Sequence, residues 1–147
     1  MSTAAPASPG LLSRWLPVLL WAGLIALFST ESFQGSETDA LLRPLLRLLL
    51  PGASEATLTQ MHAAVRKLAH VTEYAVLGFL AMRALVRPGR SRLRSALTAL
   101  LCCTLYAALD EIHQGSLPTR TGSPWDVALD TAGAALGVAL RAWTGQR

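Results

Sequence analysis

Asp110-Glu111-Ile112-His113-Gln114 ends a long apolar stretch; three of its five side chains can hold charge or move a proton, and a fourth is a hydrogen-bonding amide. Ser95 to Leu109 before it carries no charged residue at all. Two carboxylates, an imidazole and an amide therefore stand at the exit of an oily segment. A carboxylate near an imidazole can act as acid and base, and both types can ligate a divalent ion. A second group lies upstream. On a helix, Lys67, His70, Tyr74 and Gly78 fall within an arc of about 80°, with Glu73 at its edge. In the segment that holds the first motif, Tyr106, Asp110 and His113 follow i, i+4, i+7 and share a face, with Gln114 beside them and Glu111 turned further away. Downstream, Asp126, Asp130, Gly133 and Gly137 follow i, i+4, i+7, i+11. The two aspartates are thus continued by a Gly133-x-x-x-Gly137 stripe of the kind that lets helices pack closely in lipid.

The elements that carry these groups are apolar. Of 147 residues 52% are hydrophobic and 15% charged, against roughly a quarter charged in an ordinary soluble domain. With mean hydropathy at +0.39, a core of this size cannot hide the surplus, and a lipid bilayer is the natural place for it. The net charge of +4 and pI near 9.8 raise nucleic acid as a partner. The placement of the charge argues against it, because Arg87, Arg90, Arg92 and Arg94 bunch between two apolar runs as a loop charge. Cys102 and Cys103 are adjacent within an apolar segment, so they build neither a spaced disulfide nor a zinc framework.

Residues 1–10 are rich in Ala, Ser and Pro and are expected to be disordered. The first apolar helix covers about residues 11–29, with Pro17 in its first turn. It resembles a signal peptide in having one positive charge before an apolar run, but no small-x-small cleavage pattern follows Phe28, and a retained helix is the reading adopted. Glu31 to Asp39 is polar and turn-like. Leu41 to Leu50, interrupted by Arg43, Pro44 and Arg47, is too short to span about 30 Å of hydrocarbon and is expected to lie along the interface as an amphipathic segment. A new helix begins near Glu55, after Ser54 as N-cap, and leads into the second crossing. The remaining crossings give helices at about 65–86, 93–114 and 124–143. Trp125 and Trp143 stand about 27 Å apart on a helix, the spacing of two aromatic belts. The expected fold is all-α: a four-helix transmembrane bundle with the interfacial segment between helices one and two. A soluble bundle would need a polar stripe along each whole helix, which Ser95 to Leu109 lacks.

Short loops rich in Arg stay in the cytoplasm. The Arg87–Arg94 loop therefore places both termini there, with Arg14, Arg141 and Arg147. Every acid from Glu31 to Asp130 then falls on the outer side. Ionisable residues from the second, third and fourth crossings reach the same level, and such residues are expected to face one another inside the bundle. Arg120, in the short loop before the fourth crossing, is the natural counter-ion for Asp110, Asp126 or Glu111.

At these residues the chain resembles the VanZ-like family of bacterial integral membrane proteins. The likeness rests on Lys67-x-x-His70-x-x-Glu73-Tyr74, Asp110-Glu111-Ile112-His113-Gln114, Pro118-x-Arg120 and Asp126-x-x-x-Asp130-x-x-Gly133-x-x-x-Gly137, with Phe28-Ser29-Thr30-Glu31-Ser32 as a less distinctive addition. It implies a VanZ-like transmembrane domain over 11–147 in the bacterial inner membrane, where a named relative is associated with resistance to the glycopeptide teicoplanin. The chain departs from the family at Asp130, where asparagine is usual. The resemblance supplies no reaction.

Three roles are open to the cluster of Lys67, His70, Glu73, Tyr74, Asp110, Glu111, His113, Gln114, Arg120, Asp126 and Asp130. It is a structural ion network that pins helix ends, an outward-facing site for a lipid headgroup or cell-wall precursor with Lys67 and Arg120 on phosphate or carboxylate, or part of an ion or proton path. An enzyme acting on a lipid-linked substrate, with Asp110 and His113 as acid and base, is the least supported, since no known nucleophile arrangement is present. No cofactor is indicated. Metal is not adopted, because there is neither an HExxH pattern nor paired cysteine spacing. A homo-oligomer is compatible with the sequence. Trp21, Phe28, Phe79 and Met82 are read as lipid-facing or packing residues, and His62 as a solvated interface residue.

Overall fold

The computed structural model describes residues 10–30, 35–116 and 122–145, and every regular element within them is a helix. In order these are α1 (Leu11–Phe28), α2 (Gly35–Leu49), α3 (Glu55–Leu85), α4 (Arg92–Gly115) and α5 (Pro124–Thr144). Residues 1–9, expected to be disordered, lie outside the described residues, as do Glu31, Arg120 and Arg147.

Local chemistry sets the boundaries. Ser54 caps α3 by accepting the Thr57 N–H at 3.2 Å, and Glu55 places a negative charge at the positive end of the helix dipole. α3 ends before Pro88, and Gly89, at φ 78°, supplies the left-handed residue that turns the chain into α4. At α5, Pro124 occupies the first turn and Ser123 accepts the Trp125 N–H at 3.3 Å. One segment differs from expectation. α2 starts at Gly35, so part of the supposed turn is helical. As expected, α3 begins at Glu55 and leads into the second crossing; it runs without a break for 31 residues. The early turns of α3 have a partner. Leu46 of α2 and Leu58 of α3 are both buried, and Arg43 and Arg47 reach Glu55 at 2.7 and 2.5 Å.

α1, α3 and α4 are each long and apolar enough to cross a membrane by length and composition. α5 has the length, at 21 residues, but Asp126, Asp130, Arg141 and its glycines dilute its apolar content, and the expected fourth crossing is not among those three. The exposed faces are oily. Leu93, Leu97, Leu101, Leu105 and Leu109 form a bare stripe along α4, and α1 exposes Leu12, Leu16, Leu19, Leu20 and Leu27. A soluble protein would bury such surface, whereas lipid accepts it.

Small residues hold the interior together. α3 and α5 make the most extensive helix contact. A Cβ added at Gly78 would collide with the Ala134 carbonyl, one at Gly133 with that of Val71, and one at Gly137 with that of Ala75. Backbone therefore meets backbone there, as in small-residue packing in membranes. Val71 with Gly133 and Ala75 with Gly137 advance together, so α3 and α5 run parallel. α4 runs against them, placing Ser95 beside Leu85 and Asp110 beside Tyr74. α1 lies parallel to α4 and is held by polar ties: the Tyr106 hydroxyl donates to the Ala22 carbonyl at 2.6 Å, and the Trp21 indole to the Glu73 carbonyl at 2.9 Å. Interhelical bonds of this kind contribute about 0.6–2 kcal/mol each in a bilayer.

The two ends of the bundle differ in charge. At one end stand Arg14, Arg83, Arg87, Arg90, Arg92, Arg94 and Arg141, and Arg92 donates to the Gly145 carbonyl at 2.8 Å. Lys67, His70, Glu73, Asp110, Glu111, Asp126 and Asp130 all stand towards the other.

Candidate functional site

Asp110 is the hub of the acidic end. Its Oδ2 accepts from the Tyr74 hydroxyl at 3.3 Å and from the Gln114 amide at 3.0 Å, and the same amide nitrogen reaches Ser29 Oγ, just past α1, at 3.1 Å. One carboxylate oxygen thereby links α4 to α3 and, through Gln114, to α1. Tyr74 is fully buried, and its ring packs on that of Tyr106 with centroids 6.3 Å apart, an ordinary aromatic spacing. A carboxylate with two donors on one oxygen is well satisfied for a buried group.

α5 supplies the other wall. Lys67 Nζ lies 3.2 Å from Asp126 Oδ1, and both side chains are substantially exposed. One turn deeper, His70 Nδ1 lies 3.7 Å from Asp130 Oδ1. That separation allows charge attraction if the imidazole is protonated but is too long for a hydrogen bond. Asp130 is only 2% exposed, and its Oδ1 has no hydrogen-bond partner among the described residues. The contrast with Asp110 is chemical: one buried carboxylate has its donors, and the other keeps an open acceptor. Glu111 Oε1 accepts the Ser123 N–H at 2.6 Å and so ties the end of α4 to the start of α5. Thr131 and Thr104 pair their hydroxyls at 3.2 Å between α5 and α4.

The cluster thus contains Lys67, His70, Glu73, Tyr74, Asp110, Glu111, Gln114, Asp126 and Asp130. Gly133 and Gly137 lie below it, at the α3–α5 contact. Glu73 is half-buried, and Trp21, read from sequence as a lipid-facing or packing residue, bonds to its backbone. His113 is placed differently. It is exposed, whereas Glu111, expected to turn away, is buried. The buried face of α4 is drawn by Ser95, Ala99, Cys103, Ala107, Asp110 and Gln114, so its centre runs between Asp110 and Gln114. Glu111 and His113 flank that line on opposite sides. α5 covers the Glu111 flank, while α1 ends at Phe28 and reaches only Gln114 through Ser29. Arg120 lies outside the described residues. The acids expected to need it have other partners: Lys67 for Asp126, Tyr74 and Gln114 for Asp110, and the Ser123 N–H for Glu111.

Ser29 and the Ser123 amide were missed as site groups. The only signal for Ser29 was its place in Phe28-Ser29-Thr30-Glu31-Ser32, and a backbone N–H has no sequence signal. Among the described residues, no three His, Cys, Asp or Glu side chains are grouped so as to hold a metal ion. The arrangement is suited to binding a charged group through separated acids and one exposed lysine. No curated protein and no solved structure matches the chain. A family model described as VanZ/LLP1 matches residues 14–144.

Proposed function

The chain belongs to the VanZ/LLP1 family of membrane proteins, and from that premise we propose that it binds a lipid headgroup or cell-wall precursor at the outer face of the bacterial cytoplasmic membrane. In this reading α5 is the fourth crossing, parallel to α3, and both termini are cytoplasmic. The arginine-only end supports the orientation, since basic short loops are retained inside. The carrying observation is the convergence of Lys67, Asp110, Asp126 and Asp130 from three helices at one end, with Lys67 and Asp126 open to approach. A transport path has less support, because the buried positions beyond the cluster, among them Leu77, Ala81, Met82, Leu85, Ala99 and Val138, are apolar apart from Ser95 and Cys103. They offer no continuous chain of ionisable groups.

The role is then one in the envelope and its response to glycopeptides. Expression in a susceptible bacterium should raise the inhibitory concentration of teicoplanin, and Lys67→Ala should abolish that rise while the protein still accumulates in the membrane. A specific observation favours a second, structural reading for Asp110, whose donors join three segments. If Lys67→Ala retains full protection and Asp110→Asn is lost from the membrane, the cluster is a packing network and the binding proposal fails.

A further inference from the structure

The charge balance of the cluster bears on the group it would take. Between Lys67 and Asp130, the described cluster sets Glu73, Asp110, Glu111, Asp126 and Asp130 against Lys67 and His70. If Arg66 and Arg120 are added at full charge, the acids still exceed the permanent cations by five to three. An anion alone would meet a field of its own sign. Asp130 sharpens the point. It is 2% exposed, and its Oδ1 lacks a hydrogen-bond donor among the described residues. A buried acceptor left open is costly, and a positively charged donor satisfies it best. A bare metal ion fits poorly, because it needs several oxygens within about 2.0–2.6 Å, and the described acids form no such group.

We propose that the bound headgroup is zwitterionic, its primary ammonium seated on Asp126, one turn above the buried Asp130 carboxylate, and its phosphate on Lys67. This rests on the headgroup reading and specifies its chemistry. Lys67 and Asp126 already pair at 3.2 Å in an exposed position, where an ion pair is worth about 0–1 kcal/mol and is readily exchanged. A phosphate taking Lys67 and an ammonium taking Asp126 replace one plus-minus contact with two. The ammonium then stands one turn above Asp130, with the half-buried His70 at the side. Asp110, already satisfied by Tyr74 and Gln114, positions the wall and is not part of the seat. The exposed apolar neighbours favour a lipid as the source: Leu109 and Ile112, on the same turns as the cluster, are 65% and 70% exposed and offer a surface for acyl chains beside the charged groups.

The test uses the detergent-purified full chain and calorimetric titration with short-chain phosphatidylethanolamine, its N-acetylated derivative, phosphatidylglycerol and a lysine-bearing cell-wall stem peptide. Phosphatidylethanolamine should bind at least tenfold more tightly than the N-acetylated lipid or phosphatidylglycerol. Asp126→Asn should erase that preference without weakening phosphatidylglycerol, Asp130→Asn should reduce it, and Lys67→Met should weaken both lipids. If Asp130→Asn does not accumulate, Asp126→Asn, at the exposed pair, is read alone. Equal binding of phosphatidylethanolamine and phosphatidylglycerol would overturn the ammonium seat and leave the headgroup reading standing. Amine-dependent binding of the stem peptide alone would overturn the lipid as its source. If none of the four binds, both proposals fall.

Discussion

Adding one methyl group at Gly137 should separate the two helices on which the acidic site depends, whereas the same change at Gly23 should not. At Gly137 a new Cβ would overlap the Ala75 carbonyl oxygen and would also lie 2.7 Å from the Ala75 carbonyl carbon and 2.8 Å from the Phe79 nitrogen. Ordinary contact is about 3.5–4.0 Å, so α3 and α5 must part by about 1 Å. All of these neighbours are backbone and cannot rotate aside. At Gly23 nothing lies within 4 Å. Both substitutions gain about 1 kcal/mol of helix propensity, and this cancels in the comparison. What remains is the overpacking cost of about 1–3 kcal/mol, carried by Gly137→Ala alone. For a chain of this size each kcal/mol moves the midpoint by about 3–4 °C. Thermal unfolding in detergent, followed by gel filtration after heating, should therefore place Gly137→Ala about 3–12 °C below Gly23→Ala. The same parting would lengthen the 3.7 Å His70–Asp130 approach beyond ion-pair range, so headgroup binding should weaken too. Equal midpoints for the two variants would refute backbone contact between α3 and α5.

Tyr74→Phe removes one of two donors to a buried carboxylate and should cost about 1–3 kcal/mol, while His113→Ala, at an exposed position, should stay within about 0.5 kcal/mol of the parent; denaturation of both side by side checks the corrected face of α4. For orientation, a single cysteine introduced at Ser123 into a background lacking Cys102 and Cys103 should react with an impermeant maleimide added outside intact cells, and one at Arg90 only after lysis. The reverse pattern would invert the bundle.

The helices were legible because hydropathy and punctuation agree: Ser54, Pro88, Gly89, Ser123 and Pro124 mark boundaries by local chemistry alone. α2 was less legible. Gly35 to Asp39 reads as turn by composition, and its extension into a helix depends on residues further along the chain, including the Arg43 and Arg47 contacts with Glu55 in another element. The site divides in the same way. Residue types and depth could be read from the sequence, but partners could not. A helical wheel gives angles without a centre, and the centre of α4 is set by where α5 covers it and where α1 stops. Hence Glu111 and His113 exchanged places.

The α3–α5 pair explains why charge can be kept at this depth. Read from the basic end, it begins with backbone contact at Gly137, Gly133 and Gly78, then passes to His70 against Asp130 and finally to Lys67 against Asp126. The glycines fix the separation. That separation decides whether the polar pairs above them touch, and at the Asp130 level they do not quite do so. An asparagine at this position would bring its own donor and no charge. Asp130 brings no donor when ionised, and its Oδ1 is left as an open acceptor among the described residues. The glycine contact and the open carboxylate are therefore mechanically linked: loosening the first should degrade the second even though about two helical turns lie between them.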